Sequence, residues 1–464
     1  MSREQAIARA RAWYETGEFA ATLSRRIAYA TESQAVEQRG VLRAYLEHEM
    51  VPSLRALGFS QHALWDNPIP DQPPFLFAQR DEPGNTLTVL MYAHGDVVRG
   101  MPELWRAGLD PWQLRKVDGR LYGRGSADNK GQHTINLGAL QAVLAARQHR
   151  LGFNIKLLME MGEEVGSPGL ATVVEHHQDQ LRADLFVASD GPRFEPEVVT
   201  LALGSRGYLN FTLSVQSRAK PYHSGNWGGL LSNPAIVLAN AIASIVDGRG
   251  AVQVPALLPT GIPASIDRAL APLVVRPSSH DAHIDPGWGQ PGLSATQKLY
   301  AWNTFEVVAL DCENPKAPAN AIPPAAHAHC HMRLVKGTDS EQVRSALRAH
   351  LDAHGYAHVA LDLKDGSAAS RLSPDNPWVR FVAASIDKTL GKAPAILPNI
   401  GGSIPNAPFA DTLGLPTLWI PHSYAACGQH GPDEHLLETI AKESLEIMAG
   451  VWWDLGEQAR RLPV

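Results

Sequence analysis

The chain has 464 residues, of which 44% are hydrophobic and 19% charged, so it is long enough for two globular domains. A formal net charge of -6 argues against a nucleic-acid surface, and no apolar stretch is long enough to span a bilayer. The three cysteines lie far apart and predict neither a disulfide framework nor a CxxC metal site. The polar first residues lack the layout of a secretory signal, so we expect a cytoplasmic protein without membrane or nucleic-acid partners.

Helices are predicted at residues 4–50, and strands alternate with helices between about residue 62 and residue 200. The clearest of these helices is predicted at 130–147. Such an alternation is typical of βαβ units. The predicted fold class is therefore α/β, with a mostly parallel sheet and helices on both faces.

The pattern changes near Gly204. The elements predicted from there on are strands at 208–216 and 325–334, and helices at 234–246, 340–354, 378–390 and about 436–455. The two strands alternate polar and apolar residues, as strands with one wet face do. We therefore expect an α+β domain at 205–368, inserted into a first domain that comprises 1–204 and 369–464.

Four apolar, strand-like runs, at residues 87–93, 153–159, 183–188 and 416–421, each lead to acids or a histidine. The side chains that follow these runs are His94, Asp96, Glu163, Glu164, Asp190 and His430. Ligand sites in open α/β sheets lie just beyond the carboxyl ends of the strands. We therefore expect these side chains to gather at one edge of the sheet.

Each of these motifs also has a structural interpretation. His94 and Asp96 point to the same side of a strand end, as a metal ligand and its orienting partner or as a hydrogen-bonded histidine beside a capping acid. Glu163 and Glu164 repel each other, which is costly unless a cation or a shared proton relieves it, but a solvated acidic turn is the alternative. Asp190 could be a helix cap or a turn residue.

The glycine-dense loop at 123–131 opens the predicted helix at 130–147 and allows three interpretations. It could cradle a phosphate, although its spacing fits neither GxGxxG nor GxxxxGK[ST]. It could be a plain helix start, with Asp128 or Ser126 as the cap. In the third interpretation the Asp128 carboxylate bridges two cations, and the neighbouring strand ends favour this one.

Two histidines with several carboxylates suit Zn²⁺ or Mn²⁺. Two such ions about 3.5–4 Å apart polarise a carbonyl and lower the pKa of a bridging water, which hydrolyses amides without a protein nucleophile. The sequence contains no GxSxG motif, and its cysteines lack a convincing histidine partner. Covalent acyl transfer is therefore not expected.

In their order and context these motifs resemble a family of co-catalytic zinc peptidases and deacylases. The family includes carnosinase-type dipeptidases, aminoacylase, acetylornithine deacetylase and succinyl-diaminopimelate desuccinylase. The resemblance covers nearly the whole chain, and Asp190 is similar to the dipeptidase branch, since aminoacylase-type members often carry Glu there. It implies two divalent metal ions, zinc or else manganese. The implied ligands are His94 and Asp190 for one ion, Glu164 and His430 for the other, and Asp128 as the bridge.

The resemblance also implies roles for the residues around the ions. Asp96 would orient His94, and Glu163 would be the general base that takes a proton from the bridging water and passes it to the leaving amine. His223 lies in a motif similar to that of the lid-domain histidine, which in dimeric relatives reaches the partner's active site and steadies the oxyanion. A homodimer is thus implied, with a catalytic first domain and a lid or dimerisation domain at 205–368.

Asn320, Arg333 and Ser403 look like the dipeptidase residues that hold a substrate carboxylate. Arginine suits this role because its planar guanidinium binds a carboxylate at two points. The structural alternatives are a surface charge at Arg333, a surface turn at His223 and a plain glycine turn beside Ser403.

Three histidines of the predicted strand at 325–334 share one face, and these are His327, His329 and His331. They could bind a metal, but no fourth ligand is evident nearby. We expect histidines on the wetter face of a strand.

The expected function is two-metal hydrolysis of an amide bond in a small, carboxylate-bearing substrate such as a dipeptide. One alternative keeps this chemistry for an N-acyl amino acid, another amide conjugate or an amine-bearing small molecule. The other is a non-catalytic, metal-stabilised binding protein. Glu163 argues against it, since a purely structural site has no use for a spare base.

Overall fold

The computed structural model of the chain describes residues 2–35, 37, 39–276, 283–312 and 316–458. Within these residues, no helix has the length and apolar character needed to cross a membrane. The cytoplasmic location stays a prediction.

The helices are numbered here in chain order. They are α1 (Arg3–Glu15), α2 (Glu18–Ile27), α3 (Arg39–Ala44), α4 (Val51–Ala56), α5 (Lys130–Ala146), α6 (Leu170–His176), α7 (Gln178–Leu181), α8 (Ser224–Trp227), α9 (Pro234–Ile245), α10 (Ala264–Leu270), α11 (Ala295–Tyr300), α12 (Ser340–Ala353), α13 (Pro377–Leu390) and α14 (Glu438–Gln458). The sequence determines where some of them begin. Asn233 and Asn376 each accept backbone N–H groups at the start of α9 and α13, and a proline follows at the first helical position.

The strands are short and are also numbered in chain order. They are β1 (Gln61–Trp65), β2 (Phe75–Arg80), β3 (Thr88–His94), β4 (Arg115–Val117), β5 (Arg120–Tyr122), β6 (Asn154–Glu160), β7 (Leu185–Ala188), β8 (Pro192–Arg193), β9 (Thr200–Ala202), β10 (Gly204–Ser205), β11 (Gly207–Gln216), β12 (Tyr222–His223), β13 (Thr304–Asp311), β14 (Ala321–Ile322), β15 (Ala325–Leu334), β16 (Ala360–Ser367), β17 (Ser370–Arg371), β18 (Ala395–Leu397), β19 (Thr417–Trp419), β20 (Ser423–Tyr424) and β21 (His435–Leu437). These elements form two compact units.

The first unit comprises Met1–Gly204, Leu372–Leu397 and Ile404–Val464. Its eight-stranded sheet has the order β1-β2-β6-β3-β7-β19-β9-β18. The neighbours from β6 through β3 and β7 to β19 run parallel, whereas β1, β2 and β6 pair antiparallel at one edge. The predicted α/β class with a mostly parallel sheet is confirmed.

The central strands of this sheet are buried. Strand β7 is buried at every residue, and β3 and β6 at every residue but the first. Helices α1, α5 and α14 pack against one another, and α5 is buried over nearly its whole length. Continuous apolar runs, rather than alternating ones, are what such a covered sheet requires.

The last helix begins later than predicted, at Glu438 rather than near residue 436, because His435–Leu437 form strand β21. Strand β21 pairs antiparallel with β5, with His435 opposite Tyr122. This pairing ties the chain just after His430 to the strand just before the glycine-dense loop.

The second unit comprises Ser205–Arg371 and Pro398–Ser403. Its antiparallel sheet has the order β13-β15-β11-β16, and α9 and α12 pack against strands of this sheet and against each other. Buried and more exposed residues alternate along most of β11 and along the whole of β15, so that the apolar side chains form the core of this unit.

The segment Pro398–Ser403 groups with the second unit, whereas the sequence prediction placed it in the domain at 369–464. The Ser403 hydroxyl donates a hydrogen bond of 3.0 Å to the carbonyl of Arg206, which lies 197 positions earlier, and Ile400 forms a β-bridge with Ser205. Contacts between residues so far apart leave no local pattern in the sequence.

Candidate active site

The ends of two adjacent parallel strands and the glycine-dense loop bring three predicted ligands together in the first unit. His94 is the last residue of β3, and Asp190 follows β7 after one serine. His94 Nε2 lies 3.0 Å from Asp128 Oδ1 and 3.7 Å from Asp190 Oδ2. All three side chains are buried, and their nearest nitrogen or oxygen atoms lie within 4.8 Å of one another.

A second group of three ligands uses the other oxygen of Asp128. His430 Nε2 lies 3.4 Å from Asp128 Oδ2 and 3.0 Å from Glu164 Oε2. Among the described residues, these two groups are the ones in which three or more His, Cys, Asp or Glu side chains approach so closely. The geometry therefore matches a carboxylate that faces two cation sites, one with each oxygen.

The carboxyl groups of this cluster are difficult to ionise together. Burial, and then the charge of Asp128, raise the pKa of Asp190 to about 6 and that of Glu164 to about 7. Burial also raises the pKa of Glu163 well above its usual range, and Asp190 and Glu164 add to the shift. Divalent cations would remove this repulsion, so the donor types and the electrostatics both fit a pair of such ions.

The two imidazoles are hydrogen-bond partners of Asp128. Burial alone would raise the pKa of Asp128, but hydrogen bonds with His430 and His94 hold it well below its usual range. Hydrogen bonds with Asp128 and Glu164 raise the pKa of His430 to about 11. The cluster is thus built around the neutralisation of buried negative charge.

Asp96 has more contacts than the sequence predicted. Its Oδ1 lies 3.3 Å from Nδ1 of His94, as an orienting partner would. Its two oxygens also accept the backbone N–H groups of Glu163 and Glu164, at 3.2 and 3.1 Å. The Asp96 carboxylate thus contacts His94 and joins β3 to the 3₁₀ turn at Glu163–Val165. Its orienting role stays a prediction.

The glycine-dense loop directs its N–H groups at a side chain of the protein, and neither Asp128 nor Ser126 caps helix α5. The residue before α5 is Asn129, and its side chain forms no capping hydrogen bond. The N–H groups of Gly125, Ala127 and Asp128 instead point at the carboxylate of Glu434.

Sequence reasoning missed a buried polar network behind Asp190. Nε2 of His422 lies 3.0 Å from the Ser189 hydroxyl and 3.1 Å from Oδ1 of Asn136, while Asn129 donates a hydrogen bond of 2.8 Å to the Ser189 carbonyl. These contacts fix the backbone from which Asp190 projects. The signals in the sequence were an isolated histidine and two asparagines, which are no more typical of a site than of a surface.

The other predicted site residues lie in the second unit, where His223 and Asn320 are neighbours. His223 is exposed in β12, opposite Ala321 of β14. The N–H and the hydroxyl of Ser224 each donate a 2.9 Å hydrogen bond to the Asn320 carbonyl. The two residues thus belong to one local structure.

Arg333 and Ser403 also meet in the second unit. Arg333 Nη1 donates a 2.9 Å hydrogen bond to the Ser403 hydroxyl. The guanidinium of the buried Arg206 donates to the carbonyls of Leu299 and Trp302. Neither guanidinium forms an ion pair with any described carboxylate, so this cluster carries uncompensated positive charge.

The three histidines of β15 do not form a metal site of the kind found in the first unit. Nδ1 of His331 lies 2.6 Å from Oδ1 of Asn210, and Nδ1 of His329 lies 3.2 Å from the Thr212 hydroxyl. None of the three belongs to a close group of ligands among the described residues. The expectation of histidines on the wetter face of a strand agrees with this arrangement.

The first unit is an α/β domain with a mostly parallel sheet, and two groups of ligands that share Asp128 lie at the ends of its strands. These features define a class of proteins with a candidate dinuclear metal centre. Comparison with family models gives the family. The model of peptidase family M20/M25/M40 matches residues 90–454, and the chain belongs to this family. The predicted family is confirmed, as is the predicted class of hydrolase at the level of the family.

Curated relatives carry dipeptidase names. The Beta-Ala-His dipeptidase of Rattus norvegicus is 33% identical over 253 residues, which cover 52% of this chain and 50% of that protein. The match thus spans half the length of this relative. The cysteinylglycine-S-conjugate dipeptidase of Corynebacterium striatum is 26% identical over 353 residues, or 73% of this chain and 74% of that protein.

Solved structures share the fold over nearly the whole chain. Human carnosine dipeptidase 1 has a TM-score of 0.74 at 22% identity, and 97% of this chain and 99% of that one are covered. The di-peptidase Dug1p of Saccharomyces cerevisiae has a TM-score of 0.72 at 20% identity, with 98% and 99% covered. These likenesses support the mixed α/β architecture.

Proposed function

We propose that this protein is a metal-dependent hydrolase of dipeptides and similar small amides with a free carboxylate. The observation that carries the proposal is Asp128, whose two oxygens face two separate groups of histidine and carboxylate ligands. The names of the relatives from rat and Corynebacterium striatum point to the same class of substrate.

His94 and Asp190 would hold one divalent ion, Glu164 and His430 the other, and Asp128 both. When bound, ions such as Zn²⁺ or Mn²⁺ polarise the amide carbonyl and lower the pKa of water.

Glu163 is the residue of this chain that would move the proton. It belongs to neither ligand group, so its carboxylate would remain free to accept a proton when the ions are bound. Its backbone is held by Asp96, so its position is fixed relative to the ligands. As water attacks the amide carbon, Glu163 takes a proton from it and delivers this proton to the amine nitrogen as the C–N bond breaks.

Arg333 and Ser403 would bind the free carboxylate of the substrate, with Asn320 as a further polar contact. The uncompensated charge of Arg333 and the nearby Arg206 supports this role, because a buried or half-buried guanidinium without an acid partner favours a bound anion. The same charge argues against substrates that lack a carboxylate.

We also propose a homodimer in which His223 of one chain serves the site of the other and steadies the oxyanion. Strand β13 supports it, because within the described residues this strand is at the edge of its sheet. Val308 and Leu310 of this strand are 66% and 60% exposed. An open apolar edge of this kind pairs readily with the same edge of a second copy about a two-fold axis.

The test is hydrolysis of a panel of dipeptides and N-acetylated amino acids by protein that has been stripped with a chelator. We expect dipeptide hydrolysis to be lost after stripping and to return with added Zn²⁺ or Mn²⁺. Preference for the acylated amino acids would shift the proposal to a deacylase. Bound metal without turnover of any substrate would favour a binding protein.

A further inference from the structure

Glu434 is a fully buried acid that lies in the loop after His430 and outside both ligand groups. It is 1% exposed. Its Oε1 accepts the N–H groups of Ala127 and Asp128, at 2.9 and 3.0 Å. Its Oε2 accepts the N–H of Gly125 at 3.0 Å and Nη1 of Arg124 at 2.8 Å. One carboxylate therefore satisfies four donors from the loop that carries Asp128.

The backbone of Glu434 adds a further connection. Its carbonyl accepts the N–H of Gly123 at 3.0 Å. Gly125 has φ +85°, a left-handed conformation that glycine adopts without strain. The loop turns there so that the N–H groups of Gly125, Ala127 and Asp128 face inward. The inward-facing N–H groups form an anion site, and the anion is a side chain of the same protein.

The position of Glu434 in the chain explains why these hydrogen bonds matter. Asp128 lies in the loop that Glu434 holds, and His430 lies four positions before Glu434. These two residues come from distant parts of the sequence, and Nε2 of His430 lies 3.4 Å from Oδ2 of Asp128, close enough for the two atoms to share a cation. Gln429, beside His430, donates one side-chain hydrogen bond of 3.1 Å to Oδ2 of Asp128. The contacts of Glu434 join the His430 loop to the backbone of the Asp128 loop at several points.

We propose that Glu434 is a positioning residue that sets the geometry of the candidate dinuclear centre by locking the Asp128 loop to the His430 loop. The inference rests on the proposed function. Asp96 does the same for the Glu163–Val165 turn, which it holds through two backbone N–H groups. Hydrogen bonds behind the ligands of a metal site commonly control its affinity.

Glutamine at position 434 would keep the shape of the side chain but offer only one acceptor oxygen. Two of the four donors would then face an NH₂ group, so the loop would lose its fixed position. Asp454 provides a matched control in the same unit, because it is also a buried acid paired with a buried arginine, Arg3. It also accepts a hydrogen bond from Ser385, and it contacts neither ligand loop.

The experiment compares Zn²⁺ binding by the stripped full-length protein and by the variants Glu434→Gln and Asp454→Asn, using competition with a chelator of known affinity. We expect Glu434→Gln to weaken Zn²⁺ binding by about 10- to 100-fold and Asp454→Asn to leave it within about twofold. Melting temperatures in excess chelator should fall for both variants, which separates loss of stability from loss of the site.

Unchanged Zn²⁺ affinity in Glu434→Gln, or an equal loss in both variants, would overturn the positioning role. If Glu434→Gln does not fold, Glu434→Asp takes its place. It keeps the charge but is too short to reach all four donors, and Zn²⁺ affinity equal to that of the unaltered protein would contradict the proposal. An unaltered protein that binds no Zn²⁺ at all would instead refute the proposed function.

Discussion

The two units of the molecule present their predicted site residues in different ways. In the first unit the candidate ligands follow buried strands or glycine-rich loops, and each contacts another ligand or a buried partner. In the second unit His223 is exposed and belongs to no close group of ligands among the described residues, and the Arg333 guanidinium contacts the Ser403 hydroxyl and the ring of Tyr208. The candidate ligands of the first unit are therefore held by other residues of that unit, whereas the proposed roles of the second unit depend on a bound substrate and a second copy of the chain.

The two units differ because a metal site and a substrate site have different physical requirements. Cations bind tightly to ligands that are held in place, and hydrogen bonds behind the ligands supply that rigidity, even where a ligand such as His430 is itself exposed. A residue that binds a substrate has to remain reachable by the solvent until the substrate arrives. The predictions below break or sharpen this comparison.

The largest effect is expected for Glu163→Gln in the first unit. Loss of the proton acceptor should lower kcat by about 10²- to 10⁴-fold. Zn²⁺ content should be unchanged, because Glu163 belongs to neither ligand group. Steady-state kinetics and elemental analysis measure both quantities. The exposed Glu175→Gln on α6 is the control, and a fully active Glu163→Gln would contradict the assigned mechanism.

The next largest effect is expected for His223→Ala in the second unit, with a fall in kcat of about 10²- to 10³-fold. Mixing this variant with Glu163→Gln at equal amounts should restore about a quarter of the activity, since half of the dimers would carry one complete site of two. The control is His358→Ala, at an exposed histidine of the same unit. No recovery on mixing would show that each chain forms its site alone.

A smaller and more selective effect is expected for Arg333→Lys. Loss of the planar, two-point contact should raise KM for dipeptides by about 10- to 100-fold with little change in kcat. A C-terminally amidated dipeptide should be equally poor with both proteins. The exposed Arg344→Lys on α12 serves as the control. If KM were unchanged, Arg333 would be a surface charge of its strand.

The smallest effect, a change of assembly with little change of stability, is expected for Val308→Lys on the edge strand β13. A charge on the exposed edge should shift the protein towards monomers in light scattering at low concentration. The free energy of unfolding of the monomer should change by less than about 0.5 kcal/mol, because the side chain is exposed. Val274→Lys, at another exposed valine of the unit, should leave the assembly unchanged.

The sequence predicts those parts of the molecule whose local hydrophobic pattern also indicates their place in the fold. Continuous apolar runs identify the covered strands, and the rule that sites lie at strand ends then points to His94, Glu164 and Asp190. Glu434 carries no such signal, because its partners are backbone N–H groups more than 300 positions away. The three-residue strand β21 was also missed, since a segment that short has no period of its own.

The most direct test of the central claim is the Zn²⁺ content of the unaltered chain, of Asp128→Ala and of His430→Ala after equilibration with the same free Zn²⁺. If Asp128 faces two cation sites, the unaltered chain should hold two ions, His430→Ala should keep one, and Asp128→Ala should lose both. Two ions retained by Asp128→Ala, or a single ion in the unaltered chain, would contradict the account.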